Sequence, residues 1–476
     1  MSDAGDTAPS VPVGGGMVDT EKKGLSTQTN NISQSTNGTQ PSSRPLQTSQ
    51  TQLSRRDSLD FNDYFKGPRD STKHSKWPLF LQLHGSILPK MIMPLTFVAA
   101  WSTAITCITM LGVHDLGIQS TLLTVTGFVV GLGLSFRSST AYERYSEGRR
   151  LWGQLILASQ NLGRMIWIHT LDDPKDDVRT STVKKVSTMN LLVAFCVSLK
   201  HALRFEPYTE YSDLKHLVVH LNTFAREATV ANPAAAGPPK KRNVFKSVGE
   251  YLGVSFAASN PRKAFKRSDE PLGNLPLEIL NHLAVTLDFL IRNAQLNISI
   301  HQTIAFNSVT TLNDVLTGCD RVLNTPLPIA YGIAISQITW VYIVVLPFQL
   351  VTTLEWIAIP GSIFATYIIL GLLLIGREIE NPFGHDVNDL ALDRFCDQIA
   401  HDLDLISAFD KRTTSDVFML NDENKPLYPV SHASAKVWLN RDEDALHEAL
   451  RAKPKTNFNR IRGKTEATSG AGDHNA

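Results

Sequence analysis

Cysteine and net charge are both scarce in this chain, and each shortage narrows the choice of function. The 476 residues include only four cysteines, at widely separated positions, which match neither a disulfide framework nor a zinc-binding spacing. The formal net charge is +1, so the chain has no overall electrostatic signature of a nucleic-acid-binding protein. We therefore expect a reduced, cytosol-facing environment and no nucleic-acid partner.

Motifs of catalysis are also missing. The sequence contains no GxSxG elbow, no HExxH pair, no P-loop and no dinucleotide fingerprint. The N-terminus is polar and has no apolar stretch of the kind found in signal peptides, so we expect no cleaved secretory signal. Because no nucleophile–base set or metal set is visible, the sequence favours a protein that is not an enzyme.

Long apolar runs, by contrast, fill the middle of the chain. A bilayer core is crossed by about 20 apolar helical residues. Four uncharged segments approach or exceed that length and are predicted to span a membrane: residues 91–113, 118–136, 329–351 and 356–375. A shorter apolar stretch, residues 189–199, is predicted to be a buried helix of a water-facing domain.

The charges beside these segments predict how the chain is oriented. The connectors within each pair of segments are short and lack lysine and arginine, whereas basic residues flank the other ends (Lys73, Lys76, Lys90, Arg137, Arg144 and Arg377). The positive-inside rule then places both termini and the long 137–328 region in the cytosol. The sequence thus predicts an all-α, multi-pass integral membrane protein with a long cytosolic helical domain, in the plasma membrane rather than an organelle.

Composition divides the chain further. Residues 1–75 are rich in polar residues and are predicted to be a disordered tail. Two halves of a helical core, residues 76–205 and 276–410, flank a basic insertion at 206–275, which is either a solvated loop or a contact for anionic membrane lipid. Residues 411–476 read as a polar C-terminal tail with a short helix near 436–451.

The N-terminal tail contains one candidate modification site. Two arginines and an aspartate precede Ser58, in the pattern of a basophilic kinase site. A phosphate on Ser58 would reverse the local charge. Such short motifs also arise by chance in serine-rich tails, so the pattern leaves both interpretations open.

Within the second apolar segment, Phe128, Leu132 and Phe136 recur at i, i+4 and i+8 and therefore share one helix face. A face of small residues, Gly127, Gly131 and Ser135, lies beside this apolar stripe and would let helices approach closely. The stripe is either an ordinary lipid-facing or packing surface, or a ring that gates a pore when several copies assemble. Periodicity alone leaves both interpretations open.

An acidic turn follows the fourth segment. Residues 381–384 (NPFG) are a turn signal, and Asp386, Asn388 and Asp389 come directly after it. Oxygen ligands on a turn suit a hard cation, so Asp386 and Asp389 form a candidate calcium site. The alternative is that Asp386 or Asn388 caps the N-terminus of a helix over 389–409, and spacing alone favours the cap.

Three segments in this order resemble the bestrophin family, in its bacterial, fungal and plant branch: Ser135–Leu155, Thr325–Tyr331 and Glu380–Leu390. The resemblance covers residues 76–205 and 276–409. It implies an all-helical anion channel with four spans per subunit, assembled as a homopentamer whose second span lines the axis. It also implies a narrow neck of three apolar residues, which here are Phe128, Leu132 and Phe136.

The resemblance also bears on calcium. Animal bestrophins bind calcium at a cytosolic clasp on an acidic run after NPFG, and the matching positions here are Asp386 and Asp389. This chain departs from that pattern, because His385, Val387 and Asn388 replace most of the acidic run. Calcium therefore enters as a candidate cofactor at two residues only.

The sequence leads to one favoured function and two alternatives. The favoured function is an anion channel that conducts chloride-like ions or small organic anions through a central pore with a hydrophobic neck. The alternatives are an organic-anion carrier with alternating access and a non-conducting membrane scaffold. Carriers usually show inverted repeats and broken helices at the midplane, which the sequence does not display.

Overall fold

Helices are the only regular elements in the part of the chain that the computed structural model describes, residues 85–231, 271–410 and 415–470. All of these residues belong to one unit, Leu79–Ala476. The predicted disordered tail, Ser58 and residues 232–270 of the predicted insertion lie outside the described residues. The all-helical prediction is confirmed for the described residues.

The helices before the gap at 232–270 comprise two long membrane-proximal helices and a set that follows them. They are α1 (Leu88–Met110), α2 (Ser120–Arg164, continued by a π-helical turn, Met165–His169), α3 (Val178–Leu203), α4 (Lys215–Val218) and α5 (Phe224–Ala231). After the gap come α6 (Leu275–Arg292), α7 (Ser299–Asn324), α8 (Ile329–Leu354), α9 (Ala358–Glu378), α10 (Leu392–Ala408), α11 (Ser415–Met419), α12 (Ala435–Leu439) and α13 (Glu443–Gly470).

Three stretches of the described residues are long and apolar enough to cross a membrane: Leu88–Met110, Val178–Leu203 and Ile329–Glu378. The last contains α8 and α9, separated by a 3₁₀ turn at Glu355–Ile357. Its 50 residues would extend about 75 Å as a straight helix, far more than a bilayer core. Instead the chain reverses at the turn, and α8 and α9 pack against each other and against α1.

Helix α3 differs from the other two stretches in where its apolar surface lies. Among the 18 residues that make up the apolar segment of each stretch, 67% are buried inside the protein in α3. The corresponding values are 33% in α1 and 28% in the α8–α9 stretch. Phe195 and Cys196 have no exposed surface. A helix covered by protein on most sides has little surface left for lipid. Helix α3 is thus a core helix, longer than the 189–199 segment predicted from the sequence.

The predicted span 118–136 forms the first part of α2, which continues without a break into the charged residues that follow. This helix has 45 residues, so it extends about 68 Å. Its apolar half packs on α8 and α9 through Val130 and Leu134, which meet Ile335 and Leu373. Its charged half packs on α7 and α10. Helix α2 therefore joins the apolar helices to the main core.

The main core includes residues that the sequence had assigned to the insertion. Leu214, Leu217, Val218, Leu221 and Ala225 are buried in the same cluster as α3 and α6. The first part of the predicted insertion therefore contributes buried side chains to the main core. The sequence predicts an amphipathic helix near residues 214–224, and the structure has α4 at Lys215–Val218 and α5 from Phe224. Burial of this stretch depends on contacts with α3 and α6, which periodicity within the stretch does not specify.

The C-terminal residues form a small cluster of their own. Leu427, Trp438 and Ala449 are buried together, and the guanidinium of Arg441 stacks over the Trp438 ring at 4.2 Å. The short helix predicted near 436–451 is present as α12 and the start of α13. The polar tail thus contains a local apolar core.

Candidate functional site: the stripe of α2 and the turn after α9

The apolar stripe of α2 points away from its own subunit. Phe128, Leu132 and Phe136 are 72%, 47% and 58% exposed, whereas Val130 and Leu134 are buried. Two residues turn an α-helix by about 200°, so the stripe lies opposite the face that packs on α8 and α9. The chain therefore leaves three large apolar side chains uncovered on one face of α2.

The predicted face of small residues is divided between two environments. A Cβ added at Gly127 would lie 3.1 Å from Tyr342 Oη, so this glycine lets α2 approach α8 closely. A Cβ added at Gly131 would meet no atom within 4 Å. Ser135 is exposed. Only the first of the three residues therefore serves packing within the subunit.

Arg137 follows the stripe directly and connects it to the turn after α9. Its side chain is 9% exposed, and Nη2 lies 3.5 Å from Oε2 of Glu380. A Cβ added at Gly376 would lie 3.6 Å from Arg137 Cγ, so the glycine leaves room for the guanidinium stem. A buried guanidinium needs a carboxylate partner, and here the partner lies just beyond the last turn of α9.

Arg144, two turns further along α2, holds three backbone segments together. Its Nε donates to the carbonyl of Glu380 at 3.0 Å, and Nη2 donates to the carbonyl of Val322 at 2.6 Å. Nη1 donates to the carbonyl of Thr325. The last carbonyls of a helix lack intrahelical donors, so Arg144 satisfies the end of α7 while it fixes the turn after α9.

The turn at residues 381–390 is anchored on α2 by an aromatic ring. Phe383 has no exposed surface. A Cβ added at Gly148 would lie 3.1 Å from the Phe383 ring, so glycine makes the close approach feasible. The backbone N–H of Leu390 donates to the carbonyl of Pro382 at 2.9 Å and closes the turn.

The polar side chains of the turn have partners both inside the turn and in the helices next to it. Oδ2 of Asp389 accepts from the backbone N–H of Asp386 at 2.7 Å. Nδ2 of Asn388 donates to Oε1 of Glu378 at 2.7 Å and to the carbonyl of Gly85 at 3.0 Å. Burial raises the pKa of Asp389 to about 6, and the negative charges of Asp386 and Glu378 act in the same direction.

The predicted helix cap is wrong. Helix α10 begins at Leu392 rather than at residue 389, and its N-cap residue, Ala391, makes no side-chain hydrogen bond to the helix. Asp386 and Asn388 lie too early in the chain to cap it. The Asn388 side chain instead donates to Glu378 and Gly85, and the Asp386 carboxylate faces the ammonium of Lys90.

The candidate calcium residues do not fit a calcium ion. Calcium takes six to eight oxygen ligands, and in the described ranges no three His, Cys, Asp or Glu side chains are grouped so as to hold a metal. Asp389 already accepts from the backbone, and Oδ2 of Asp386 lies 3.6 Å from the ammonium of Lys90. The same ammonium lies 2.9 Å from Oε2 of Glu378.

Sequence reasoning missed the partners that organise this turn. The sequence indicates no partner for Glu378 or Glu380, and it marks Lys90 only as a basic residue beside a span. One signal was available: a lysine in the first turn of a helix and a glutamate in the last turn both oppose the helix dipole. Such residues need partners elsewhere in the fold.

A second charged cluster lies where α3 meets residues 206–213. The buried ring of His201 has Nδ1 2.5 Å from Oε2 of Glu206 and Nε2 3.0 Å from Oδ1 of Asp213. With carboxylates at both nitrogens, the ring must donate twice and is an imidazolium. Burial acts to lower the pKa of His201, but the hydrogen bonds to Asp213 and Glu206 raise it overall.

Comparisons with known proteins place these features in a family. The family model described as Bacterial/Fungal Bestrophin protein matches residues 69–404. The chain belongs to the bacterial and fungal bestrophin family. The family resemblance read from the sequence is thereby confirmed, and the protein is an all-helical integral membrane protein with several candidate spans.

Named relatives of this bestrophin are similar over most of their length. A voltage-dependent anion channel-forming protein of Synechocystis sp. is 32% identical over 332 residues, which cover 68% of this chain and 90% of the relative. The voltage-dependent anion channel-forming protein YneE of Salmonella typhi is 30% identical over 335 residues, covering 69% and 90%.

Solved structures of bestrophin homologues are similar at a lower level. A crystal structure of a mutated bacterial bestrophin homologue from Klebsiella pneumoniae aligns with a TM-score of 0.48 and 24% identity, covering 67% of this chain and all of that chain (100%). Family membership rests on the sequence matches.

Proposed function

We propose that this bestrophin is an anion channel assembled from several copies of the chain, with five as the number that the family resemblance implies. Phe128, Leu132 and Phe136 of each copy form the neck of a central pore. The exposed stripe carries the proposal, because a subunit that leaves these residues uncovered opposite its own packing face can present them to a shared axis. The names of the relatives, which are anion channel-forming proteins, support it.

The chemistry of the neck favours weakly hydrated anions. Stacked apolar rings narrow the passage and resist wetting, so an ion that sheds water at low cost passes more readily than a strongly hydrated one. We therefore propose chloride-like ions and small organic anions as permeant species. No bond is made or broken in such a pathway.

The membrane arrangement follows from the same proposal. The four spans are α1, the apolar half of α2, α8 and α9, and both termini are cytosolic. Helix α2 leaves the membrane after Phe136 and continues among the cytosolic helices. The plasma membrane is the proposed location.

Current recording with neck variants tests the proposal. Purified protein in planar bilayers under chloride and malate gradients should give unitary current steps. Phe136→Ala, and more strongly a triple alanine neck, should raise conductance or hold the channel open, because less apolar surface resists wetting. Phe364→Ala is the matched control, since Phe364 is 66% exposed on α9 and lies outside the neck.

The alternatives give different records. An organic-anion carrier would show slow, saturable flux without steps, and a scaffold would show no flux in reconstituted liposomes. Neck variants that fold, assemble and carry wild-type currents would remove Phe128, Leu132 and Phe136 from the conduction pathway.

A further inference from the structure

Lys90 and Glu378 each occupy the unfavourable end of a helix. Helix α1 begins at Leu88, so Lys90 lies in its first turn, where the helix dipole is positive. Helix α9 ends at Glu378, where the dipole is negative. Neither charge is favoured by its own helix, and the N-cap residue of α1, Ile87, offers no side-chain hydrogen bond.

The packing of α1 on α9 resolves both misplacements. The Lys90 ammonium lies 2.9 Å from Oε2 of Glu378, whose side chain is only 9% exposed. A carboxylate with so little access to water is costly without a cation beside it. The negative charge of Glu378 is thus favourable beside the positive end of the α1 dipole. The positive charge of Lys90 is favourable beside the negative end of the α9 dipole.

The ammonium reaches a second carboxylate in the turn after α9. Oδ2 of Asp386 lies 3.6 Å from Lys90 Nζ. Asn388 then connects Glu378 to the carbonyl of Gly85, which brings the residues before α1 to the same place. A single positive charge therefore holds together the start of α1, the end of α9 and the turn that follows.

We propose that Lys90 is a built-in cation that keeps the 378–389 turn closed without a bound metal ion. The turn carries Glu380, whose carboxylate pairs with Arg137 and whose carbonyl accepts from Arg144, so its closure fixes the cytosolic end of the stripe. The effect of turn closure on the neck rests on the proposed channel function. The effect of Lys90 on the turn itself is independent of that function.

Thermal unfolding of the purified protein, with millimolar calcium or with a chelator, tests the role of Lys90. The wild-type midpoint should be the same in both conditions. Lys90→Met should lower the midpoint by about 2–5 °C, because Glu378 and Asp386 lose their counter-ion. Calcium should recover part of that loss only in this variant. Lys90→Arg, which keeps the charge, should stay within about 1 °C of wild type.

Lys436→Met is the matched control. Lys436 forms an exposed ion pair with Asp422 at 3.0 Å in the C-terminal region, far from the turn in sequence. Its removal should change neither the midpoint nor the response to calcium. The proposal is supported if calcium leaves the thermal midpoint of the wild type unchanged and raises the midpoint of Lys90→Met alone.

A charge exchange keeps the test decisive if Lys90→Met does not fold. Lys90→Glu should be more damaging than Lys90→Met, and adding Glu378→Lys should recover folded protein, since both charges then agree with their helix dipoles. Failure of the exchange to recover any stability would overturn the proposal. So would a wild-type midpoint that rises with calcium. None of these readouts is a current, so either result leaves the channel proposal standing.

Discussion

The two halves of α2 share one continuous helix but differ in what covers them. In the apolar half, the face that carries Phe128 and Phe136 is open, and only the opposite face packs on the subunit's own helices. In the charged half, Trp152, Leu155 and Leu162 have no exposed surface. The charged half therefore has one face fully covered within the chain, although Tyr142 and Leu157 stay exposed on it. The apolar half leaves an uncovered face, as the proposed assembly requires.

The largest expected effect comes from the charged half. Trp152→Ala removes a fully buried indole that packs beside the Phe395 ring, with centroids 5.8 Å apart. The cavity and lost burial should cost about 3–5 kcal/mol of the free energy of unfolding. Chemical unfolding followed by circular dichroism measures the loss. Phe128→Ala in the open half is the comparison and should cost less than about 1 kcal/mol, and equal losses would refute the contrast.

Substitution of two glycines, one in each half of α2, tests the same difference in packing with smaller changes in stability. A leucine at Gly148 must displace the buried Phe383 ring, so Gly148→Leu should lower stability by about 1–3 kcal/mol. A Cβ at Gly131 meets no atom within 4 Å, so a leucine there has open space to enter and Gly131→Leu should keep the stability of the chain.

The same pair of variants separates stability from conduction. Gly131→Leu adds apolar bulk beside the stripe and should reduce the unitary conductance of the proposed channel. Unfolding curves and bilayer recordings of the two variants together check this. A destabilised Gly131→Leu subunit would show that the open face is covered within the chain.

A pH dependence of stability is expected from the charged cluster around His201. The folded-state pKa of His201 is raised, so its stabilising contribution is complete below the ordinary histidine value of 6.5 and is lost as pH rises through the raised pKa. His201→Gln should flatten this fall and cost on the order of 1–3 kcal/mol at low pH. Thermal midpoints from pH 6 to pH 9 check the slope.

Other groups titrate outside that window. Glu206 and Asp213, which face the ring, have lowered pKa values, so their contributions are lost only at acid pH. Lys200, which pairs with Asp213 and Asp393, has a raised pKa. Asp389, in the separate turn, titrates near 6. A slope above pH 7 that survives in His201→Gln would exclude His201 as its source.

Sequence periodicity predicted which residues of α2 share a face but not what that face contacts. The spacing of Phe128, Leu132 and Phe136 suffices to define the stripe, because helix geometry is local. Its exposure depends on α8 and α9, about 200 residues later in the chain. The charged continuation of the second apolar segment likewise predicts that its helix extends well beyond residue 136, as α2 does. The burial of residues such as Leu214 and Leu217 in the main core was not predicted.

The polar turn shows the same limit in side-chain chemistry. Asp386, Asn388 and Asp389 looked like calcium ligands or a cap because their oxygen atoms suit both roles. The structure assigns them other partners, and the decisive one, Lys90, is 296 residues away from Asp386 in the chain. Spacing within a motif carries no information about a charge supplied from so far away.

The length of α2 has a mechanical consequence. A stiff rod of about 68 Å that tilts by 5° about one end carries the other end through about 6 Å. Arg144 and the Phe383 ring, which contacts Gly148, lie near the middle of this rod, so a tilt about that point would move both of its ends in opposite directions. In the proposed assembly, copies of α2 that tilt together would widen or narrow the space between their apolar halves.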